Sequence, residues 1–176
     1  MNAPPTTARS VLRAQLDLVW RFAEAVVIGH VDERLALWEP TANVVTVHRS
    51  ADGWHADWPD EENPPIPSPT VGWVLWHVEW WWTSTIGCVE GRAPLAPQEH
   101  RWSGGTDGIA RLKRVWDDVL DSRDLEEQVP WLTPEPQTLG VIASWVNFEL
   151  TKNISEVSQL QLLHQNRSLP DADQPA

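Results

Sequence analysis

The chain has 176 residues, a formal net charge of −12, and an aromatic set of 13 Trp, 2 Phe and no Tyr. This length is enough for one domain with a substantial core, while the acidic charge argues against binding to nucleic-acid phosphates or to an anionic membrane surface. The single cysteine, Cys88, excludes an internal disulfide, and the N-terminal segment MNAPPTTARS has no apolar run of the secretory kind, so we expect a cytoplasmic protein.

The first part of the chain predicts an amphipathic helix followed by a small hairpin. Apolar residues recur at a spacing of three and four between Thr7 and Ile28, which is typical of a helix with one covered face. The segment from Asn43 to His48 is rich in β-branched residues and precedes the turn signal Asp52-Gly53, so Trp54 to Trp58 can return as a second strand. We therefore expect a β-hairpin in the connector after the first helix.

The most apolar stretch of the chain, TVGWVLWHVEWWWTSTIGC, predicts a second helix from Thr70 to Ile86. Pro69 before it and Gly87 after it are typical of helix boundaries. The helix is apolar on nearly every side, so other elements must cover it, and it is too short and interrupted to span a bilayer. His77 lies at its middle, where a buried imidazole needs a hydrogen-bond partner or a ligand.

The second part of the chain predicts two more helices, from Asp107 to Leu120 and from Thr138 to His164. Four helices joined by connectors of mixed length, with one small hairpin, indicate an all-α four-helix bundle. We expect a single domain over residues 1–165 and a flexible polar tail over residues 166–176.

The fourth predicted helix carries polar residues on its apolar face. Glu149 and Asn153 are four residues apart, so they lie one turn from each other on the side that faces the bundle. A buried carboxylate is costly unless it is paired, hydrogen-bonded or bound to a cation, and His77 is the expected counterpart. Two interpretations remain open: a structural polar cluster that fixes helix register, or a divalent-metal site formed by His77, Glu149 and Asn153.

Four further residues are candidates for a pocket beside this trio. Glu156 borders the same helix face, and Trp73 and Trp81 lie on the same helix as His77. His48, near the hairpin turn, is either a solvent-exposed side chain or part of a lid. Cys88 has no basic neighbour in sequence, so an inert buried thiol is favoured over a reactive one.

Several segments resemble the DinB-like family of bacterial four-helix proteins, in its tryptophan-rich actinobacterial branch. They are TVGWVLWHVEWWW, HRWSG at His100 to Gly104, and SWVNFELTKNISEVSQLQLL at Ser144 to Leu163. The family is similar to the mycothiol-dependent maleylpyruvate isomerases and the bacillithiol transferases, and the resemblance implies an up-down-down-up bundle that is often dimeric. Metal-binding members hold a divalent ion with three histidines, whose positions correspond here to His77, Glu149 and Asn153.

Two function hypotheses follow. The first is a divalent-metal-dependent enzyme of the thiol-dependent transferase or hydrolase type, acting on a small molecule in a tryptophan-lined pocket. Zn or Ni is the expected metal, and a low-molecular-weight thiol such as mycothiol is the expected co-substrate. The alternative is a metal-free, non-catalytic bundle that binds a small apolar ligand or forms a homodimer, with the polar trio purely structural.

Overall fold

The computed structural model describes residues 6–58, 64–133 and 135–167, and these residues are mostly helical with small two-stranded sheets. The helices are α1 (Ala8–Val26), α2 (Glu33–Ala36), α3 (Val71–Val89), α4 (Asp107–Ser122) and α5 (Leu139–Arg167). The strands are β1 (Val44–Val45), β2 (Val47–Ser50), β3 (Gly53–Ala56), β4 (Ser68–Pro69), β5 (Gln128–Val129) and β6 (Gln137–Thr138), and a 3₁₀ turn covers Pro97–Glu99. None of the helices in these ranges is long and apolar enough to cross a membrane.

All four long helices occur where the sequence predicts them, with ends that differ by a few residues. Thr70 caps α3, since its hydroxyl oxygen accepts the backbone N–H of Trp73 at 3.3 Å. The predicted end at Gly87 is too early. Gly91 has a φ of 81° and closes the helix, with its N–H donated to the carbonyl of Cys88 at 2.9 Å.

The last helix is also longer than the sequence predicts. α5 continues through Arg167, so residues 166 and 167 are helical and do not belong to a flexible tail. Residues 168–176 of that predicted tail lie outside the described residues.

The predicted hairpin is present and is supported by other parts of the chain. β2 and β3 pair antiparallel through the turn, where Gly53 has a φ of 125° and the Ser50 hydroxyl donates to the Gly53 carbonyl at 2.7 Å. The backbone of Trp54 pairs in turn with that of Trp102. A second, parallel pairing joins β1 to β4 and holds the proline-containing connector beside the start of α3.

α3 lies at the centre of the molecule. It contacts α2, α4 and α5 and the strands β2, β3 and β4, and α5 also contacts α1. Its first turn approaches α2 closely at Gly72, where a Cβ would lie 2.9 Å from the Ala36 carbonyl oxygen. The largest buried side chains of the core include Trp76, Trp81, Trp82, Trp102 and Trp116. Most of the tryptophan surface therefore serves as core, as the sequence predicts.

Candidate functional site

A cavity of about 430 Å³ lies where α3 and α5 meet the connector before α3. We call it the α3/α5 cavity. Its lining residues are Val45, Trp58, Ile66, Pro67, Pro69, Trp73, His77, Lys152 and Glu156. The walls combine a large apolar surface with a few polar groups, which is the usual composition of a small-molecule site.

Three flat rings form one wall of the cavity. The imidazole of His77 stacks on the indole of Trp73, with ring centroids 5.1 Å apart and planes 9° apart. The indole of Trp58 lies nearly parallel to both rings, with its centroid 6.5 Å from each. Trp73 is anchored by its indole N–H, which donates to the Asp57 carbonyl at 2.7 Å. The wall is therefore a cluster of nearly parallel rings contributed by α3 and the end of the hairpin.

His77 is neutral at pH 7. Burial, together with the charge of Lys152, lowers the pKa of its imidazole to about 4, although the charge of Glu149 acts in the opposite direction. The Nδ1 atom is buried and has no hydrogen-bond partner among the described residues. This leaves Nε2 as the ring nitrogen that can reach the cavity, where a neutral imidazole can donate or accept one hydrogen bond.

The polar residues of α5 pair mainly with one another. The Lys152 ammonium lies 2.6 Å from Oε2 of Glu149, whose side chain is 13% exposed. The side-chain amide of Asn153 donates to the Glu149 carbonyl at 2.7 Å and to its Oε2 at 3.3 Å. The expected hydrogen bond between His77 and Glu149 is not formed in the described residues. The Glu149 carboxylate thus obtains its compensating charge from its own helix.

This arrangement bears on the predicted metal site. Among the described residues, no group of three or more His, Cys, Asp or Glu side chains could hold a metal ion. A divalent ion at Glu149 would compete with the Lys152 ammonium on Oε2, because two cations near one carboxylate repel each other. The Lys152 ammonium and the Asn153 side-chain amide both engage Oε2 of Glu149, and the metal site stays a prediction.

Glu156 differs from Glu149 in its contacts with the described residues. It is half-buried at the cavity wall and makes no hydrogen bond or ion pair with another described residue. Burial raises the pKa of its carboxyl group, Lys152 lowers it, and the charge of Glu149 raises it. A half-buried carboxyl group without a partner is available to a ligand.

The structure places two of the predicted pocket residues elsewhere. Trp81 is buried in the core, where it packs against Trp82 and against Trp145 of α5. His48 is exposed on β2 and its Nε2 lies 2.7 Å from a carboxylate oxygen of Asp57. Neither residue lines the cavity. Cys88 is buried and burial raises the pKa of its thiol, in line with an inert role.

Sequence reasoning predicted Trp73, His77 and Glu156 at the cavity but missed Lys152 and the connector residues. Lys152 carried a usable signal, because it lies three residues after Glu149 and such a pair meets on a helix surface. Trp58 and Ile66 carried none, since the β1–β4 pairing that brings the connector to α3 joins segments far apart in sequence.

Comparisons of the chain with protein-family models, curated proteins and solved structures find no match. The resemblance to the DinB-like family stays a prediction from the sequence segments quoted above. The chemistry of the α3/α5 cavity is therefore argued from its own residues.

Proposed function

We propose that the protein binds a small molecule with a flat apolar part in the α3/α5 cavity. The observation that carries this proposal is the wall of Trp58, Trp73 and His77, which lines a cavity of about 430 Å³. Trp58 remains 37% exposed although nearby tryptophans are buried in the core. A preformed aromatic surface of this kind supports ligand binding, since it needs little reorganisation to accept a ring.

The indoles and the imidazole would make different contacts with the ligand. A planar ligand would stack on the indoles, and each aromatic pair contributes about 0.5–1.5 kcal/mol beyond the burial of area. Nε2 of His77 would add one hydrogen bond without the cost of bringing a second charge into the cavity.

Calorimetric titration with phenethyl alcohol tests this function. Wild-type protein should bind the alcohol, and Trp58→Ala should weaken binding by about tenfold because one face of the ring loses its contact. Trp20→Ala serves as the matched control, since Trp20 is a half-buried tryptophan on α1 that does not line the cavity. Equal affinity in Trp58→Ala, or no binding by the wild type, would contradict the proposal.

A metal-dependent enzyme is the second candidate function. The observation that favours it is the neutral His77 imidazole, which lacks a hydrogen-bond partner among the described residues and feels the charge of Glu149. Bound Zn or Ni would supply Lewis-acid chemistry, and a thiol such as mycothiol would be the co-substrate. Elemental analysis of protein purified without added metal or chelator separates the candidates, because near-stoichiometric metal would favour the metal-dependent enzyme.

The arrangement of the four long helices is also a proposal. We propose that the four long helices form the up-down-down-up bundle that the family resemblance implies, supported by the contacts of α5 with α1 and α3 and of α3 with α4. The homodimer stays a prediction that fits the exposed apolar side chains of Leu18 and Phe148. The cytoplasmic location likewise stays a prediction.

A further inference from the structure

The charged side chains of α5 narrow the class of ligand that the α3/α5 cavity can take. Glu149, Lys152 and Glu156 are the acidic and basic residues that α5 presents near the cavity. Lys152 pairs with Glu149 at 2.6 Å, so one positive and one negative charge cancel locally. What remains is the carboxyl group of Glu156, and the cluster has a formal net charge of −1 when all three groups are ionised.

Among the described residues, Glu156 has no ion pair of the kind that Lys152 forms with Glu149. No other described residue donates a hydrogen bond to it or pairs with it, although it is half-buried. A carboxylate held partly away from water is costly unless a donor or a cation approaches it. A positively charged group on a ligand would supply that partner.

The aromatic wall also favours a positively charged group on the ligand. The faces of indole rings carry negative electrostatic potential, and tryptophan is the best side chain for attracting a cation over its ring. Trp58 and Trp73, whose planes are 16° apart, line the same cavity as Glu156. Aromatic faces next to a carboxylate form the usual receptor for an ammonium group.

Other charge classes fit the cavity less well. An anionic ligand would need Lys152, which is already engaged by Glu149, and it would face Glu156 and a chain with a net charge of −12. A neutral ligand would stack on the wall but would leave the carboxylate of Glu156 without a cation.

Resting on the proposed function, we propose that the α3/α5 cavity binds an organic cation, an amine or quaternary ammonium compound with a flat apolar body. The ammonium group pairs with Glu156, and the body lies against Trp58 and Trp73. Lys152 stays with Glu149 and keeps that second carboxylate from competing for the ligand.

Three probes with the same phenyl ring and a two-carbon linker test this inference by calorimetry. They are phenethylammonium, phenethyl alcohol and hydrocinnamate, which differ in charge at the end of the linker. Wild-type protein should bind phenethylammonium about tenfold or more tightly than the alcohol, and hydrocinnamate more weakly than either. Glu156→Gln should remove the preference for the ammonium over the alcohol, because the variant has no carboxylate to pair with the cation.

Two further variants keep the result interpretable. Glu126→Gln removes the same charge from an exposed position in the connector after α4 and should keep the wild-type preference. Lys152→Met should keep or strengthen binding of the ammonium, since it removes a like charge. Melting curves show that each variant is folded before titration.

The outcomes separate the inference from the function on which it rests. If alcohol and ammonium bind wild-type protein equally, the cation inference is overturned while small-molecule binding stands. Tightest binding of hydrocinnamate, lost in Lys152→Met, would overturn the inference in favour of an anion site. Absence of binding by all three probes would overturn both.

Discussion

Glu79 is an acidic side chain in the core between α3 and α4, with 4% of its surface exposed. Its carboxyl group fills the space beside Gly108, in the first turn of α4, where a Cβ would overlap it. The nearest cation is the guanidinium of Arg111 at 3.8 Å, and Oε2 has no hydrogen-bond partner among the described residues. Burial raises the pKa of Glu79 to about 7, and the charge of Arg111 opposes that shift.

This raised pKa predicts a specific pH dependence of stability. The folded state binds the proton more tightly than the unfolded chain, whose pKa is near the ordinary 4.5. The contribution of Glu79 to stability is therefore full below pH 4.5, falls as the pH rises toward 7, and is lost above it. In Glu79→Gln this loss should be absent. The unfolding free energy of the variant minus that of wild type should therefore increase by about 1 kcal/mol for each unit of rising pH between about pH 5 and 7.

Urea unfolding of the two proteins at a series of pH values measures this difference. The histidines with lowered pKa, His77 and His100, are present in both proteins, so their opposite contribution cancels. Glu126→Gln, at an exposed position, should show no such trend. A difference between Glu79→Gln and wild type that stays constant with pH would contradict the account.

At the residue scale, the sequence predicted which helix face a side chain occupies more reliably than it predicted the side chain's interaction partner. Periodicity predicted the inward face of α5, and Asn153 is buried there. It could not predict that Glu149 would pair with Lys152, because the choice between a partner on the same helix and one on α3 depends on distances across the core. Trp81 was misplaced for a related reason, since α3 is apolar on nearly all sides and its pattern does not show which neighbour each face meets.

At the scale of elements, the packing of the first turn of α3 determines the position of the cavity wall. Gly72 lets the first turn of α3 approach both α2 and β2, since a Cβ there would lie 2.9 Å from the Ala36 carbonyl oxygen and 2.9 Å from Cγ2 of Val47. The following residues carry the wall, with Trp73 in the same turn. The position of the wall therefore depends on this close contact.

Gly72→Ala should destabilise the protein by about 1–3 kcal/mol, because the added methyl group forces α3 away from backbone that cannot yield. This loss should occur even though alanine is the better helix former by about 1 kcal/mol. Gly105→Ala is the matched control, since nothing lies within 4 Å of a Cβ at that position. Chemical denaturation of the three proteins measures the effect, and a stabilised Gly72→Ala would show that the contact is looser than described.

Helix positions were predictable because their signals are local. Thr7 and Thr70 cap α1 and α3 with their own side chains, and the apolar spacing follows each helix. The β1–β4 pairing was not predicted, since it joins Val44–Val45 to Ser68–Pro69 through contacts that neither segment shows by itself. The sequence thus predicted the scaffold well and only part of the cavity that the connector completes.

At the scale of the whole molecule, the tryptophan content and the acidic net charge both favour binding of a cation. Most of the large indole surface is core, while Trp58 and Trp73 line the cavity together with the carboxyl group of Glu156, which has no ion pair with another described residue. The net charge of −12 attracts cations toward the protein at low salt. The composition predicted a tryptophan core, but only the fold shows which indoles reach the cavity.

The most direct test of the central claim is a crystal structure of the protein with phenethylammonium. The account predicts electron density for the ligand in the α3/α5 cavity, with its ring against Trp58 and Trp73 and its ammonium group within hydrogen-bond distance of the Glu156 carboxylate. Density at another site, or a cavity that stays without ligand at concentrations that saturate binding in solution, would contradict the account.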